Sequence, residues 1–241
     1  MEDLRQYSKT YVITTNFLDR FDDLSPMGVL DLCQDIAGRH AELLGCGFEA
    51  MVNKNLYWVV ARNEVNYLRE VPYGEDLTLI TWPLKPSRFF FDRDYEIRDK
   101  NNNVLITVRS RWLLIDTINR KMQPSSSYDY PFESIDKNLY DYDFPSLKAV
   151  ESETSALVHK VTPSEVDHNL HFNNSRYAEL VYNVLSLKDK NSIKSFLIYY
   201  HSEVKMDEEI RLVKNITDNK VSISGYKGDI LSFNALVELK K

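Results

Sequence analysis

Two hydrophobic rhythms alternate along this chain, and their order occurs twice. Tyr11 to Thr15 reads as a first strand, with Val12-Ile13 between polar neighbours, and Asp19 to Leu24 as a polar connection. Ser25 then offers a helix N-cap and Pro26 a first helical residue. Val29, Leu30, Cys33, Ala37, His40, Ala41 and Leu44 follow at helical spacing until Gly45-Cys46-Gly47 stops the run. The length and stripe predict a central, buried helix. Strand-like segments succeed it at Tyr57–Tyr67, Leu77–Trp82, Phe89–Arg98 and Val104–Ile115. In the third, Phe89, Phe91, Tyr95 and Ile97 alternate with Asp92, Asp94 and Glu96, the pattern of an antiparallel strand with one buried face, broken only by Arg93. Asp99-Lys100-Asn101-Asn102-Asn103 is the turn into the fourth.

From Gln123 to Glu153 the composition shifts to Pro, Ser, Asp and Tyr without periodicity, which marks a boundary. Its tyrosines, Tyr128, Tyr130, Tyr140 and Tyr142, fit a linker packed across a sheet edge better than a binding surface. Beyond it the order returns: a strand at Leu157–Val161, a helix at 174–185, then strands at Ser195–Met206, Ile210–Ile216, Val221–Tyr226 and Ile230–Leu239. Residues repeat too. Trp58 to Tyr67 aligns with Leu197 to Met206, so that Glu64-Val65 matches Glu203-Val204, and Glu75-Asp76-Leu77-Thr78-Leu79 matches Glu208-Glu209-Ile210-Arg211-Leu212. The expected organisation is a first repeat at 1–122, a linker at 123–154 and a second repeat at 155–241. The expected fold is α+β, with two antiparallel sheets, each wrapped around its own helix.

The chemistry concentrates where the second helix begins, in Val166-Asp167-His168-Asn169-Leu170-His171-Phe172-Asn173-Asn174-Ser175-Arg176-Tyr177. Read as extended, this segment puts Asp167, Asn169 and His171 on one face. Asn173 or Asn174 can cap the helix, whose apolar face is Tyr177, Leu180, Val181, Val184 and Leu185. The first-turn N–H groups and helix dipole can polarise a carbonyl oxygen there. The first repeat has Asp22-Asp23-Leu24-Ser25-Pro26-Met27 at its helix entry, with no amide and no imidazole. The second half therefore keeps the polar site, and the first keeps an apolar helix suited to a hydrophobic tail.

Composition narrows the classes. With 241 residues, 43% of them hydrophobic, the chain has room for two domains of about 120 residues. A net charge of −6 and the lack of a basic run argue against nucleic-acid binding, and there is no helix-turn-helix pattern ahead of Tyr11. The start, Met1-Glu2-Asp3-Leu4-Arg5-Gln6, lacks the features of a signal peptide, and no apolar run reaches membrane-span length, so a cytosolic protein without membrane contact is expected. Cys33 and Cys46 have no metal-ligand spacing and read as unpaired thiols. No metal or cofactor is expected.

Asp167-x-Asn169-x-His171-x-Asn173-Asn174 resembles the strand-to-helix motif of the plant and bacterial acyl-acyl carrier protein thioesterases, which carry two hot dog repeats in one chain. The resemblance extends over both repeats. It implies a tandem hot dog fold and hydrolysis of fatty acyl-acyl carrier protein, with release of free fatty acid and an end to chain elongation. It also implies that the acidic residue of the matched strand, Glu203, pairs with the Asn and His of the motif.

On this basis Glu203 is expected to activate water, its basicity raised by partial burial after the aromatic run Phe196 to Tyr200. His171 would orient the water or shuttle its proton, Asn169 would position water or thioester, and Asp167 would orient its polar neighbours. Asn173 and Asn174 would meet the substrate at the helix start, and Leu30, Cys33, Ala37 and Ala41 would line the acyl tail. The acidic carrier protein would dock on a local basic patch, for which Lys85, Arg88, Arg93, Arg109, Arg111 and Arg176 are candidates. Where many plant members have a cysteine after the strand glutamate, this chain has Val204, which excludes a covalent cysteine there. His40, His159, His168 and His201 receive no role. Acyl-coenzyme A is the nearest rival carrier, a non-catalytic acyl-binding regulator is a more distant one, and a homodimer is left open. A hot dog dehydratase typically has His-Phe-Pro-Gly where this chain has His171-Phe172-Asn173-Asn174.

Overall fold

The computed structural model describes residues 4–71, 73–129, 133–151, 155–190 and 192–241. The first half runs β1 (Tyr7–Val12), α1 (Pro26–Leu43), α2 (Phe48–Val52), β2 (Leu56–Tyr67), β3 (Asp76–Pro83), β4 (Phe91–Arg98), β5 (Val104–Asp116) and the short β6 (Met122–Gln123). The second half runs β7 (Leu157–Lys160), α3 (Asn174–Val184), β8 (Ile193–Tyr200), β9 (Glu209–Thr217), β10 (Lys220–Lys227) and β11 (Ile230–Leu239). Strand β1 thus starts before the expected Tyr11, and α2 and β6 are additions to the expected order.

The strand order is β1-β3-β4-β5-β2 in the first half and β7-β9-β10-β11-β8 in the second. Position for position these orders are the same, so the repeat legible in the sequence is a repeat of topology. Two compact units result. One comprises Met1–Thr14, Asp31–Asn63 and Leu68–Asp143; the other comprises Thr15–Leu30, Glu64–Tyr67 and Phe144–Lys241. The helix-entry loop of the first repeat therefore belongs to the second unit.

Helix α1 begins and ends as its sequence demands. The Ser25 hydroxyl accepts the Gly28 N–H at 3.0 Å. At the other end Gly45 takes φ 71°, while Gly45 N–H reaches Glu42 O at 3.0 Å and Cys46 N–H reaches Ala41 O at 2.9 Å. That pair of bonds is the Schellman closure, which needs a left-handed residue at the glycine. Val29, Leu30, Leu32, Cys33, Ile36, Ala37 and His40 are all buried, a wider face than the expected stripe.

In the first unit, β4 departs from the expected half-buried strand: Asp94 and Glu96 are buried as well as Tyr95 and Ile97. The reason is that residues 137–143 lie across the polar face of the sheet. Asp94 accepts the Leu139 N–H at 2.8 Å and pairs with Arg109 at 3.3 Å. Arg109 also donates to the carbonyls of Tyr140 (3.0 Å) and Tyr142 (2.8 Å), and Trp82 Nε1 donates to Lys137 O at 2.8 Å. Arg111 bridges Asp92 at 2.6 Å and Asp143 at 2.7 Å. The segment expected at a sheet edge is a strap over a sheet face, held by charges that the alternation pattern had assigned to solvent. Tyr130 lies outside the described residues.

Arg93, on the opposite face of β4, is buried as well. Its Nη1 donates to His40 Nδ1 at 2.9 Å and to Thr81 Oγ1 at 3.2 Å. Arg93, Arg109 and Arg111 are internal, so these three do not belong to a docking patch; Lys85 and Arg88 are exposed.

In the second unit, residues 144–150 strap the sheet in a similar way. Phe144 packs on Leu197 and Tyr199, the Tyr199 hydroxyl donates to Pro145 O, and Val150 N–H donates to Ser224 Oγ at 2.8 Å.

Candidate active site

The site is built by a tight loop. Thr162 caps a 3-10 turn, Pro163–Glu165, with its N–H and hydroxyl both on Glu165 Oε2 at 2.7 and 2.8 Å. Val166 then bridges Phe172, Asp167 N–H donates to His171 O at 2.8 Å, and Leu170 takes φ 63°. Asp167 Oδ1 accepts the N–H groups of Asn169 at 2.8 Å and His171 at 3.3 Å. This is an Asx-type turn, in which a short acidic side chain replaces missing backbone partners. The expected extended face of Asp167, Asn169 and His171 is therefore corrected: the chain reverses at Leu170, and Asp167 spends its carboxylate on its own loop.

The same reversal brings His171 to Glu203. Phe172 N–H donates to Val204 O at 2.7 Å and His171 bridges Lys205, which seats the loop against the segment after β8. His171 Nε2 then meets Glu203 Oε2 at 3.0 Å, with side-chain exposures of 14% and 46%. Glu203 lies beyond the end of β8 at Tyr200, not inside a strand running to Met206, and the expected burial is absent. The aromatic residues preceding it are buried because they stay in the strand. Lys227 Nζ donates to Glu203 O at 3.0 Å and pairs with Glu208 at 3.3 Å, fixing the backbone that carries the carboxylate.

Around this pair the remaining candidates divide. Asn169 is exposed, and its amide has no partner among the described residues. Asn173 is the helix cap, its Oδ1 accepting Ser175 N–H at 3.1 Å and Ser175 Oγ at 3.2 Å. Arg176 N–H donates to Asn173 O at 3.0 Å, so two of the first-turn donors expected to face a substrate are already engaged. The donor left over is the Asn174 N–H. Tyr200 Oη donates to Asn174 O at 3.0 Å and pins the first residue of α3. Tyr177 lies against Phe172 (ring centroids 4.6 Å apart), Tyr200 (5.5 Å) and Phe233 (5.1 Å). Burial pushes the Tyr177 phenol up, so this hydroxyl stays protonated beside the site. Tyr200 was not singled out from the sequence; a tyrosine just ahead of the motif-matched glutamate was the available signal.

In the α1 stripe Leu30, Cys33 and Ala37 are buried, and Ala41 packs on a cluster of Leu44, Cys46, Met51, Phe91, Leu114 and Tyr128. Burial pushes both thiols up, which keeps Cys33 and Cys46 protonated and poorly nucleophilic. Among the histidines without a role, His40, His201 and His159 have partners that the sequence did not reveal. His40 is bonded to Arg93 and to Leu4 O, and His201 Nε2 meets Asn234 Oδ1 at 2.8 Å. His159 pairs with Glu165 at 3.0 Å and so supports the capping turn. Arg176 pairs with Glu179 at 2.9 Å. Among the described residues no group of three or more His, Cys, Asp or Glu side chains is arranged to hold a metal ion, and no helix is long and apolar enough to cross a membrane.

The repeated strand order, with an imidazole bonded to a half-exposed carboxylate at the start of the second copy's helix, defines a class: a duplicated hot dog protein. Residues 5–127 match the acyl-ACP thioesterase N-terminal domain and residues 148–235 the acyl-ACP thioesterase C-terminal domain. The chain belongs to the acyl-ACP thioesterase family. It is 25% identical over 219 residues to the palmitoyl-acyl carrier protein thioesterase, chloroplastic, of Arabidopsis thaliana, covering 84% of this chain and 53% of that protein. It is 26% identical over 165 residues to the protein of the same name from Cuphea hookeriana, covering 62% and 39%. The chain thus spans about half the length, or less, of these curated relatives. In fold it is similar to an acyl-ACP thioesterase of Bacteroides thetaiotaomicron, with a TM-score of 0.87, 22% identity and 100% of both chains covered. It is also similar to the 12:0-ACP thioesterase of Umbellularia californica, with a TM-score of 0.83, 20% identity, and 100% and 98% covered.

Proposed function

We propose that this protein hydrolyses the thioester of a fatty acyl-acyl carrier protein, with His171 and Glu203 acting on one water molecule. The 3.0 Å contact between His171 Nε2 and Glu203 Oε2 carries the reading. A carboxylate hydrogen-bonded to an imidazole can pass a proton across that bond, so the pair can take one from water as its oxygen adds to the thioester carbonyl carbon. In this reading Glu203 is the acceptor and His171 orients the water or relays the proton. The developing oxyanion is met by the Asn174 N–H and the positive end of α3, with the Asn169 amide positioning water or thioester. Collapse breaks the C–S bond, and the carrier thiol leaves with the proton as free fatty acid forms. Asp167 acts through the loop, and Asn173 acts as the cap that aims the helix.

The two repeats, 1–122 and 155–241 joined by 123–154, divide the work in this proposal. The strands of each repeat wrap their own helix, the second repeat holds the chemistry, and the first receives the acyl tail along Leu30, Cys33, Ala37 and Ala41. The identical strand orders support duplication, and the small residues of α1 support a tail site. The protein is proposed to act in the cytoplasm without a cofactor. Hydrolysis of acyl-carrier protein and acyl-coenzyme A thioesters of graded length, by the parent and Glu203→Gln, tests the reading. Turnover of carrier thioesters that is lost in the variant is the expected result; comparable turnover by both proteins sinks it.

A further inference from the structure

We infer that the first unit carries the docking surface for the acidic carrier protein, on a patch formed by residues 54–62, 85–90 and 117–128; this rests on the proposed hydrolysis of carrier-bound substrate. In a chain of net charge −6, these three segments hold Lys54, Arg62, Lys85, Arg88, Arg120 and Lys121 and no carboxylate. Contacts knit them into one region. Thr117 N–H donates to Asn55 O at 2.9 Å, Ser125 N–H donates to Arg88 O at 2.8 Å, and Arg120 Nη1 donates to Tyr57 Oη at 3.2 Å. Lys54 Nζ sits 4.3 Å above the Tyr128 ring, and the Arg62 guanidinium lies 5.9 Å from the Phe90 ring.

Lys54, Lys85, Arg88 and Lys121 are exposed and form no ion pair among the described residues. Of the acidic residues flanking these segments, Asp116 is committed to its own turn, accepting Ile118 and Asn119 N–H at 2.8 and 3.0 Å, Asp92 pairs with Arg111 at 2.6 Å, and Asp129 is exposed at the edge of the patch. Exposed apolar side chains lie in and beside the same segments: Ile118 at 76%, Val52 at 47% and Met122 at 42%. Four exposed cations, Lys54, Lys85, Arg88 and Lys121, around apolar contacts complement a small acidic protein and do nothing for a neutral tail. Charge of this kind acts mainly on encounter and weakens with salt. The surface therefore distinguishes the two carriers, because coenzyme A has no acidic protein face to present.

The test compares hydrolysis of dodecanoyl-acyl carrier protein and dodecanoyl-coenzyme A by the parent and by a variant combining Lys54→Glu, Lys85→Glu, Arg88→Glu and Lys121→Glu. A control combines Arg69→Glu, Lys148→Glu, Lys188→Glu and Lys220→Glu, which changes net charge equally elsewhere. The patch variant is expected to lose roughly tenfold or more in kcat/KM on the carrier substrate, keep its coenzyme A activity within about twofold, and converge with the parent in high salt. The control should follow the parent. Equal losses in patch variant and control, or equal losses on both substrates, overturn the docking surface. If the patch variant does not fold, the neutral set Lys54→Gln, Lys85→Gln, Arg88→Gln and Lys121→Gln decides the same question by the carrier-to-coenzyme ratio. Absence of hydrolysis by the parent on either thioester overturns the proposed function instead.

Discussion

Asp19 and Asp167 occupy the same position in two loops of one design. Asp19 Oδ1 accepts the N–H groups of Phe21 and Asp23 at 2.8 and 3.0 Å, as Asp167 Oδ1 accepts those of Asn169 and His171. Asp22 takes φ 61° where Leu170 takes 63°, and the bridge Leu18–Leu24 answers Val166–Phe172. Ser25 N–H reaches Phe17 O as Asn173 N–H reaches Glu165 O. The frame is common, and only the second copy mounts an imidazole on it, at the position where the first has Asp23.

Asp167 should therefore act as an acceptor for its loop and not as a charge on the imidazole. Asp167→Asn keeps that acceptor and is expected to retain turnover within a few-fold. Asp167→Ala removes it, at about 1–3 kcal/mol of stability, and should lower kcat by misplacing His171. Steady-state kinetics and urea unfolding of both variants decide it: an asparagine variant as impaired as the alanine one would show that the negative charge is needed.

Stability should fall in acid through His40. This side chain is fully buried, and because Arg93 can only donate, His40 Nδ1 accepts and its proton sits on Nε2, facing Leu4 O at 3.0 Å. Desolvation, and then the Arg93 charge, lower its pKa from 6.5 to about 4. Between those values the unfolded chain binds a proton that the native state refuses, so stability rises with pH across the window and is lost as pH falls through it. Urea unfolding of the parent and His40→Gln at about pH 7 and pH 4.5 should show the stability difference between them shifting against the parent by about 1–3 kcal/mol on acidification. A difference independent of pH would remove His40 from the acid response.

The reach of the sequence differs from residue to residue for physical reasons. Duplication, the succession of strands along the chain and the Ser25 to Gly45 helix were legible because they rest on local periodicity and backbone caps, which the chain writes directly; the order of the strands within the sheet was not. The roles of Asp94, Arg109 and Arg111 were not legible. Alternation assigns a charged face to water, and only tertiary packing of residues 137–143 reveals that this face is covered. At the site, the residues His171 and Glu203 were legible as a pair, whereas the extended reading of 166–172 failed. An Asp two residues before an Asn and a left-handed Leu170 make a turn that polar alternation cannot distinguish from a strand. Glu203 was misplaced for a related reason: the aromatic run ends the strand at Tyr200 before the glutamate is reached.

The acyl tail offers a third prediction. Ala41, like Trp58 and Trp112, packs on an aromatic and aliphatic cluster that includes Phe91 and Tyr128. If this cluster borders the tail, Ala41→Leu should shorten the preferred acyl chain and leave short substrates largely unaffected. Each buried methylene is worth about 0.8 kcal/mol, so a blocked end penalises only chains that reach it, by about fourfold per methylene displaced. Profiles of kcat/KM against chain length for the folded variant check this, and an unchanged profile would take α1 out of the substrate site.

The decisive prediction concerns the pair itself. Glu203→Gln keeps shape and much of the hydrogen bonding to His171 but cannot accept a proton, so kcat should fall on the order of 100-fold or more while acyl substrate still binds. His171→Ala and Asn169→Ala should lose rate too. Because Glu203 and His171 share one hydrogen bond, Glu203→Gln combined with His171→Ala should cost much less than the product of the single losses, as expected for groups that act on one water. Glu64→Gln alters the sequence-matched glutamate of the first repeat, which lies buried in β2, and should leave the rate within a few-fold of the parent. Steady-state hydrolysis and substrate affinity of these five variants and the parent check the assignment. Near-normal turnover in Glu203→Gln, fully multiplicative losses in the double variant, or a loss in Glu64→Gln as large as that in Glu203→Gln would falsify a single active site in the second repeat.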